Sequence, residues 1–328
     1  MPINIILCLS CLVLGSAGAW VIKEFAFKWG LVDNPEGRSS HDRPTPKGGG
    51  IGILAAFLLA SLAMKMPPAF WAPAAFLSLL SFFSDRFDFS PKFRLPLQLI
   101  AASILLLPIS ALWPLTSTLY FFFLVLFITA TANWYNFMDG INGIAGITGV
   151  AGFGMLGAYN ILSAGDPRFS VLCLCIAFSC LGFLPFNIPK ARVFMGDGGS
   201  ILLGFVFAAM VALLSKSFLE FVCLASLLST FYADEWVTMA VRIRDGENLL
   251  RPHRRHLYQL LANELGIEHW KVSAGYGILQ VVVGACVLSI RPYGPLAVWT
   301  LLVIFFSMFV WVNYIVRVRL VKGRAKQP

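Results

Sequence analysis

The chain reads as an all-α, polytopic integral membrane bundle of about eleven transmembrane helices. Of its 328 residues, 58% are hydrophobic and 12% charged, at a mean hydropathy of +0.79, more apolar than a soluble domain of this length needs. The apolar residues gather in runs of about 17 to 22, the length at which a helix crosses a hydrocarbon core. The cations lie between those runs and almost wholly at alternate connections.

Eleven such runs occupy 3–22, 48–66, 68–84, 95–113, 116–133, 143–163, 170–186, 200–215, 218–235, 272–290 and 295–316. The first lacks a basic segment before it, and Lys23 and Lys28 follow it. It therefore reads as a retained span with its N-terminus outside rather than as a signal peptide. Lys65-Met66-Pro67-Pro68 punctuates the second and third runs. Alternation then puts 23–47, 85–94, 134–142, 187–199, 236–271 and 317–328 on one side. Those segments hold 21 of the 25 Lys and Arg, leaving Lys65, Arg168, Lys216 and Arg291 to the other. The positive-inside rule makes the rich side cytoplasmic and places the C-terminus there. The same bias accounts for the net charge of +9 without invoking nucleic acid. Outer connections of a few residues leave no room for an external domain, so residues 1–328 are expected to form one membrane domain. Seven cysteines, all in apolar runs, lack the spacing of a zinc site and read as packing residues.

The polar chemistry collects in the cytoplasmic segments 23–47, 85–94, 134–142, 187–199 and 236–271. At its centre is Asn133-Trp134-Tyr135-Asn136-Phe137-Met138-Asp139-Gly140. A spacing of three puts Asn133, Asn136 and Asp139 on one helical face. Such groups at a span end are kept where they line a wet cavity, bind a ligand or meet headgroups. Arg43-Pro44-Thr45-Pro46-Lys47-Gly48-Gly49-Gly50 offers cations to phosphate oxygens and glycines that admit a ligand close to the backbone. Its alternative is a juxtamembrane turn facing anionic lipid. Asp85, with Lys92 and Arg94 behind it, is placed to hold a divalent cation or accept a proton, or else to pair with Arg86. Asp197, in Gly196-Asp197-Gly198-Gly199-Ser200, suits a Mg²⁺ carried against a diphosphate; the alternative has Asp197 or Ser200 capping the next helix. After Asp234 and Glu235 come Arg251, His253, Arg254, Arg255 and His256, a polyanion grip or a solvated basic loop. Carboxylates for Mg²⁺ and cations for phosphates, beside a membrane, fit phosphoryl transfer onto a lipid. The rival reading is a lipid or nucleotide-sugar transporter, but transporters concentrate ionisable groups near the midplane, whereas these lie at span ends.

Four of these segments, with the Phe194-Met195-Gly196-Asp197 run at their heart, resemble the polyprenyl-phosphate N-acetylhexosamine-1-phosphate transferases of glycosyltransferase family 4 type. The likeness covers roughly residues 30 to 280, in order. It implies an all-helical fold in the bacterial inner membrane with a cytoplasmic active site. The implied reaction moves an N-acetylhexosamine 1-phosphate, or its 6-deoxy counterpart, from a UDP-sugar to undecaprenyl phosphate and releases UMP. Mg²⁺ is the implied cofactor, with Mn²⁺ as its substitute, and a homodimer is left open. By the same likeness Asp197 is a metal ligand, with Asp139 a candidate second. Asp85, Asp139 and Lys92 are catalytic, and Arg43, Lys47, Asn133, Asn136, His253, Arg254 and His256 bind substrate. Ser84 stands where the family usually has a first Asp. A His-His-His-Phe-Glu-like stretch of the peptidoglycan branch is absent, and His253-Arg254-Arg255-His256 resembles the branch that initiates O-antigen or other surface glycans. Asn142 stays outside the site.

Overall fold

A computed structural model describes residues 2–35, 40–87, 91–110, 117–249 and 253–324. Its helices are α1 (Pro2–Trp29), α2 (Ile51–Ala63), α3 (Pro68–Phe87), α4 (Pro91–Ser110), α5 (Ser117–Phe137), α6 (Ile144–Leu162), α7 (Pro167–Asn187), α8 (Asp197–Leu214), α9 (Phe218–Ala225), α10 (Ser229–Arg244), α11 (Leu257–Gln259), α12 (His269–Ile290) and α13 (Pro295–Arg324). Two short strands, β1 (Val32–Asp33) and β2 (Thr45–Pro46), pair antiparallel between α1 and α2. The protein is a polytopic helical membrane protein, as its hydropathy requires.

Among the described residues, each of the eleven apolar runs falls largely on helix. Seven helices (α1, α5, α6, α7, α8, α12 and α13) are long and apolar enough to cross a membrane. The other four runs lie on helices that are short, contain proline or are separated by a 3₁₀ turn. α2 has 13 residues, α3 contains Pro73, and α4 contains Pro96 and Pro108. A single 3₁₀ turn, Ser226–Leu228, separates α9 from α10, and α10 ends in charged residues.

α8 is the inner helix, with 83% of its apolar window buried, whereas α13 has 11% and lies at the periphery. Aromatic edges fill the space beside α8: Phe207 meets Phe153 of α6 at 5.9 Å between ring centres. Where lipid surrounds a bundle, packing rather than water exclusion holds helices together, and small residues let backbones touch. A methyl group added at Gly15 of α1 would stand 2.0 Å from the Ser179 carbonyl oxygen of α7, and one at Gly18 2.3 Å from Cα of Gly52 in α2. The end of the bundle where α3 and α5 finish, and α2 and α8 begin, carries the polar segments.

Candidate active site

Asp85 lies in the last turn of α3, just beyond its apolar run, and Asp197 is the first residue of α8. The Asp197 N–H donates to Asp85 Oδ2 at 3.0 Å. A carboxylate from one helix thus occupies the N-terminus of another, where unpaired N–H groups and the helix dipole favour negative charge. The residue before α8 is Gly196, which has no side chain to cap it, so neither Asp197 nor Ser200 takes the capping role. The Asp197 carboxylate faces its neighbours instead. Its Oδ2 accepts from Arg94 Nη1 of α4 at 2.5 Å, and its Oδ1 accepts from Asn136 Nδ2 of α5 at 2.9 Å. Asn136 also donates to the Ser200 hydroxyl at 2.9 Å. Lys47 Nζ, from the segment before α2, lies 3.7 Å from Asp85 Oδ1. Five elements thus meet around two carboxylates.

Asp139 follows α5 in a turn closed by its N–H to the Asn136 carbonyl (3.1 Å), and it keeps part of its surface open. Burial, and then the charge of Asp197, push Asp85 up to about 8, against the pull of Lys47 and Arg94. Asp139 is raised well above the carboxylate range by burial first, then by Asp197 and Asp85. Burial thus favours the neutral form of both carboxyls, and repulsion from Asp197 adds to it. The Asp85 side chain is 6% exposed and that of Asp197 32%, so Asp197 is the carboxylate presented outward. Among the described residues, no group of three or more His, Cys, Asp and Glu side chains stands ready to hold a metal ion alone.

The glycine triplet serves a different purpose from the one expected. The N–H groups of Gly48 and Gly49 donate to the Phe194 carbonyl (3.2 and 2.9 Å), and that of Gly50 to Met195 (2.9 Å). A methyl group at Gly50 would stand 2.4 Å from Cα of Gly199. These glycines admit the 194–199 segment, not a ligand, and so join the loop bearing Lys47 to the loop bearing Asp197. Gly196 has φ +76°, and a methyl group there would reach within 2.7 Å of Asp85 Oδ2; both the turn and the carboxylate exclude a side chain.

The basic arm divides in two. His256 is turned inward, 3% exposed, with Nδ1 3.6 Å from Asp234 Oδ1 and Nε2 3.5 Å from Glu235 Oε2. Its partners are protein carboxylates, which the sequence reading had not paired with it. His253 is half-buried. Burial, followed by the charges of His256, Arg242 and Arg255, pulls its pKa down to about 3. It is a neutral hydrogen-bonding group at pH 7, and its buried Nδ1 has no partner among the described residues. Arg255 is held by Asp245 (2.8 Å) and Glu247 (2.6 Å). Arg254 is half-buried beside it. Arg251 and Pro252 lie outside the described residues.

Other expected residues stand apart from the carboxylates. Asn133 donates to Gln98 Oε1 of α4 (2.6 Å) and to the Thr129 carbonyl (2.8 Å), tying α5 to α4 one turn below Asn136. Arg43 is exposed. Lys92 sits in the first turn of α4, its side chain outside the described residues. Asp85 pairs with Lys47 rather than with Arg86, whose guanidinium lies over the Phe87 ring at 5.1 Å. Asn142 donates to the Pro189 carbonyl (3.3 Å), and its own carbonyl accepts from Ser273 (2.8 Å), a structural role. Sequence reasoning gave Ser200 only an alternative role as a cap, assigned none to Gln98 and gave Arg94 only a place behind Asp85. Arg94 was discoverable: three residues after Pro91, it falls in the first turn of a helix that starts at proline.

Residues 68–215 match the model of glycosyl transferase family 4. The chain is 27% identical over 259 residues to an undecaprenyl-phosphate alpha-N-acetylglucosaminyl 1-phosphate transferase of Thermotoga maritima, covering 76% of this chain and 79% of the relative. It is 26% identical to the Escherichia coli protein of that name, covering 90% and 86%. A decaprenyl-phosphate N-acetylglucosaminephosphotransferase of Mycolicibacterium smegmatis is 28% identical, with 77% and 73% covered. The matched region carries Asp85, Arg94, Asn136, Asp139 and Asp197, the residues that converge at one end of the bundle. Over residues 68–215 the chain is thus similar to glycosyl transferase family 4, and over most of its length to polyprenyl-phosphate sugar-phosphate transferases.

Proposed function

We propose that the protein transfers an N-acetylhexosamine 1-phosphate, or a 6-deoxy relative, from a UDP-sugar to undecaprenyl phosphate and releases UMP. The reaction takes place at the cytoplasmic face of the bacterial inner membrane and starts O-antigen or another surface glycan. One observation carries this reading: Asp85, Asn136, Asp139 and Asp197, from separate elements, gather at one end of a membrane bundle with Lys47 and Arg94 among them. That supports a site for polyanions beside lipid. The similarity to acetylglucosaminyl-phosphate transferases of three organisms supports the class of donor and acceptor.

The lipid phosphate oxygen attacks the sugar-proximal phosphorus of the donor. The bond from that phosphorus to the bridging oxygen breaks, and the oxygen leaves with UMP. A phosphate monoester has its second pKa near 6, so the nucleophile needs little activation. Asp85, with its pKa at about 8, keeps its own proton near neutrality and so orients the lipid phosphate as a hydrogen-bond donor rather than deprotonating it. Lys47 and Arg94 attract donor and acceptor phosphates while they balance the carboxylates. Asn136 holds the Asp197 carboxylate in one orientation.

The donor set fits a magnesium ion, which takes one or two carboxylates and otherwise waters and substrate phosphates. Part of the rise at Asp85 and Asp139, after burial, comes from repulsion by neighbouring carboxylates, which a cation in the same place would relieve. Asp197 would hold it, with Asp139 as second carboxylate, and when bound it would neutralise charge on the donor diphosphate. The test is UMP release by purified protein given undecaprenyl phosphate, Mg²⁺ and a panel of UDP-N-acetylhexosamines. Release with one donor and none without lipid is expected. No release with any donor, or transport of donor across vesicles without UMP, would overturn the proposal.

A further inference from the structure

Asp234 lies in α10, outside the carboxylate cluster, and the reaction as derived above makes no use of it. Its carboxylate is fully buried yet crowded with donors. The N–H groups of Leu257 and Tyr258 reach Oδ1 and Oδ2 at 2.7 and 3.2 Å. The Tyr276 hydroxyl of α12 donates to Oδ2 at 2.7 Å, and the Thr238 hydroxyl to Oδ1 at 3.2 Å. With His256 Nδ1 at 3.6 Å, the arm that follows His253 is pinned at its root by one carboxylate.

The next link is Tyr258. Its fully buried ring lies parallel to that of His256, 5.5 Å between centres, and its hydroxyl donates to the Phe137 carbonyl at 3.0 Å. Phe137 ends α5, where the last carbonyls of a helix have no partner within it. The same hydroxyl fills the space over Gly140: a methyl group there would stand 2.2 Å from it. Tyr258 thereby fixes residues 137–140 from both ends, and Asp139 is the residue between.

We infer that Asp234 is a positioning residue that acts through Tyr258, setting the basic arm and the Asp139 turn in one register. Displacing a site group by about 1 Å can cost on the order of a hundredfold in rate, and loss of a residue that orients a ligating group typically costs about 10- to 100-fold. The inference rests on the transferase reading for its effect on rate, but not for the coupling itself.

Two variants and two readouts test it. Tyr258→Phe keeps the ring and removes only the hydroxyl; Asp234→Asn keeps the shape and removes the charge. Hydrogen exchange of the purified full chain, followed in peptides over 137–143 and 257–264, reads the coupling without any substrate. Tyr258→Phe is expected to speed exchange over 137–143 alone, and Asp234→Asn over both segments. UMP release per folded molecule is expected to fall about 10- to 100-fold in kcat for each, with the donor KM little changed. A purely structural role would lower the yield of folded protein and leave kcat and KM alone. Unchanged exchange over 137–143 in both variants, or faster exchange with kcat intact, would overturn the inference. If the parent protein releases no UMP with any donor, the transferase reading falls, and the exchange pattern decides the coupling alone.

Discussion

Replacing Asp85 by Asn separates what its carboxyl does for the fold from what it does for the reaction. In the folded protein its pKa is about 8 against an ordinary 3.8, so the native state keeps a proton that the unfolded chain releases in that interval. Stability linked to this proton is complete below the unfolded value and is lost as the pH rises through the folded one. At about 1.4 kcal/mol per unit, the loss is on the order of 5 kcal/mol by pH 8. Asn ionises in neither state and escapes that loss. The pull of Lys47, 3.7 Å away, and of the Asp197 N–H is already contained in the value of about 8. The variant is therefore expected to be more stable than the parent by on the order of 5 kcal/mol at pH 8 and by little or nothing at pH 4. At roughly 2–4 °C per kcal/mol, that is a rise on the order of ten degrees in unfolding temperature, read in detergent without divalent cations from pH 4 to 9. UMP release by the same variant is expected to fall. An Asn variant less stable than the parent at pH 8, or an advantage that does not shrink toward acid, would refute the reasoning.

A cation that relieves the repulsion among Asp85, Asp139 and Asp197 should stabilise the parent at pH 8. Mg²⁺ at about a hundred times its dissociation constant is worth roughly 2.7 kcal/mol, seen as a rise in unfolding temperature that EDTA reverses and Asp197→Asn lacks. Asn136→Ala removes the donor to Asp197 Oδ1 and Ser200 and is expected to lower kcat about 10²-fold or more, with the protein still monodisperse by size exclusion. Gly50→Ala puts a methyl group 2.4 Å from Cα of Gly199. It is expected to destabilise the fold by about 1–3 kcal/mol, measured as a drop in unfolding temperature, because both contacting atoms are backbone and neither can turn aside.

Helices were legible because the bilayer demands them: a run of apolar residues with its backbone in lipid has no other way to satisfy its N–H and C=O groups. The described residues of all eleven runs are largely helical for that reason. Which of them are full spans was harder to see, because an apolar run does not show where its helix stops: the second run, 48–66, carries a helix of only 13 residues. Asp85, Asn136, Asp139 and Asp197 stood out because polar groups at a span end are costly and few, and topology carried their segments to one end. What each carboxylate faces was not legible. Pairings such as Arg94 with Asp197, Asp85 with the α8 amide and Asp234 with Leu257 and Tyr258 join residues 103, 112 and 23 or 24 positions apart, and no local spacing encodes them. The glycines mark the same limit. A triplet with no side chains reads equally as a cradle for phosphate or as a face for another backbone, and here 194–199 fills it. His253 and His256 look alike in sequence, yet one ring lies between two carboxylates and the other among cations. That difference comes from α10 passing behind the arm, so the arm's chemistry is set by the packing of a helix that contributes nothing else to the motif.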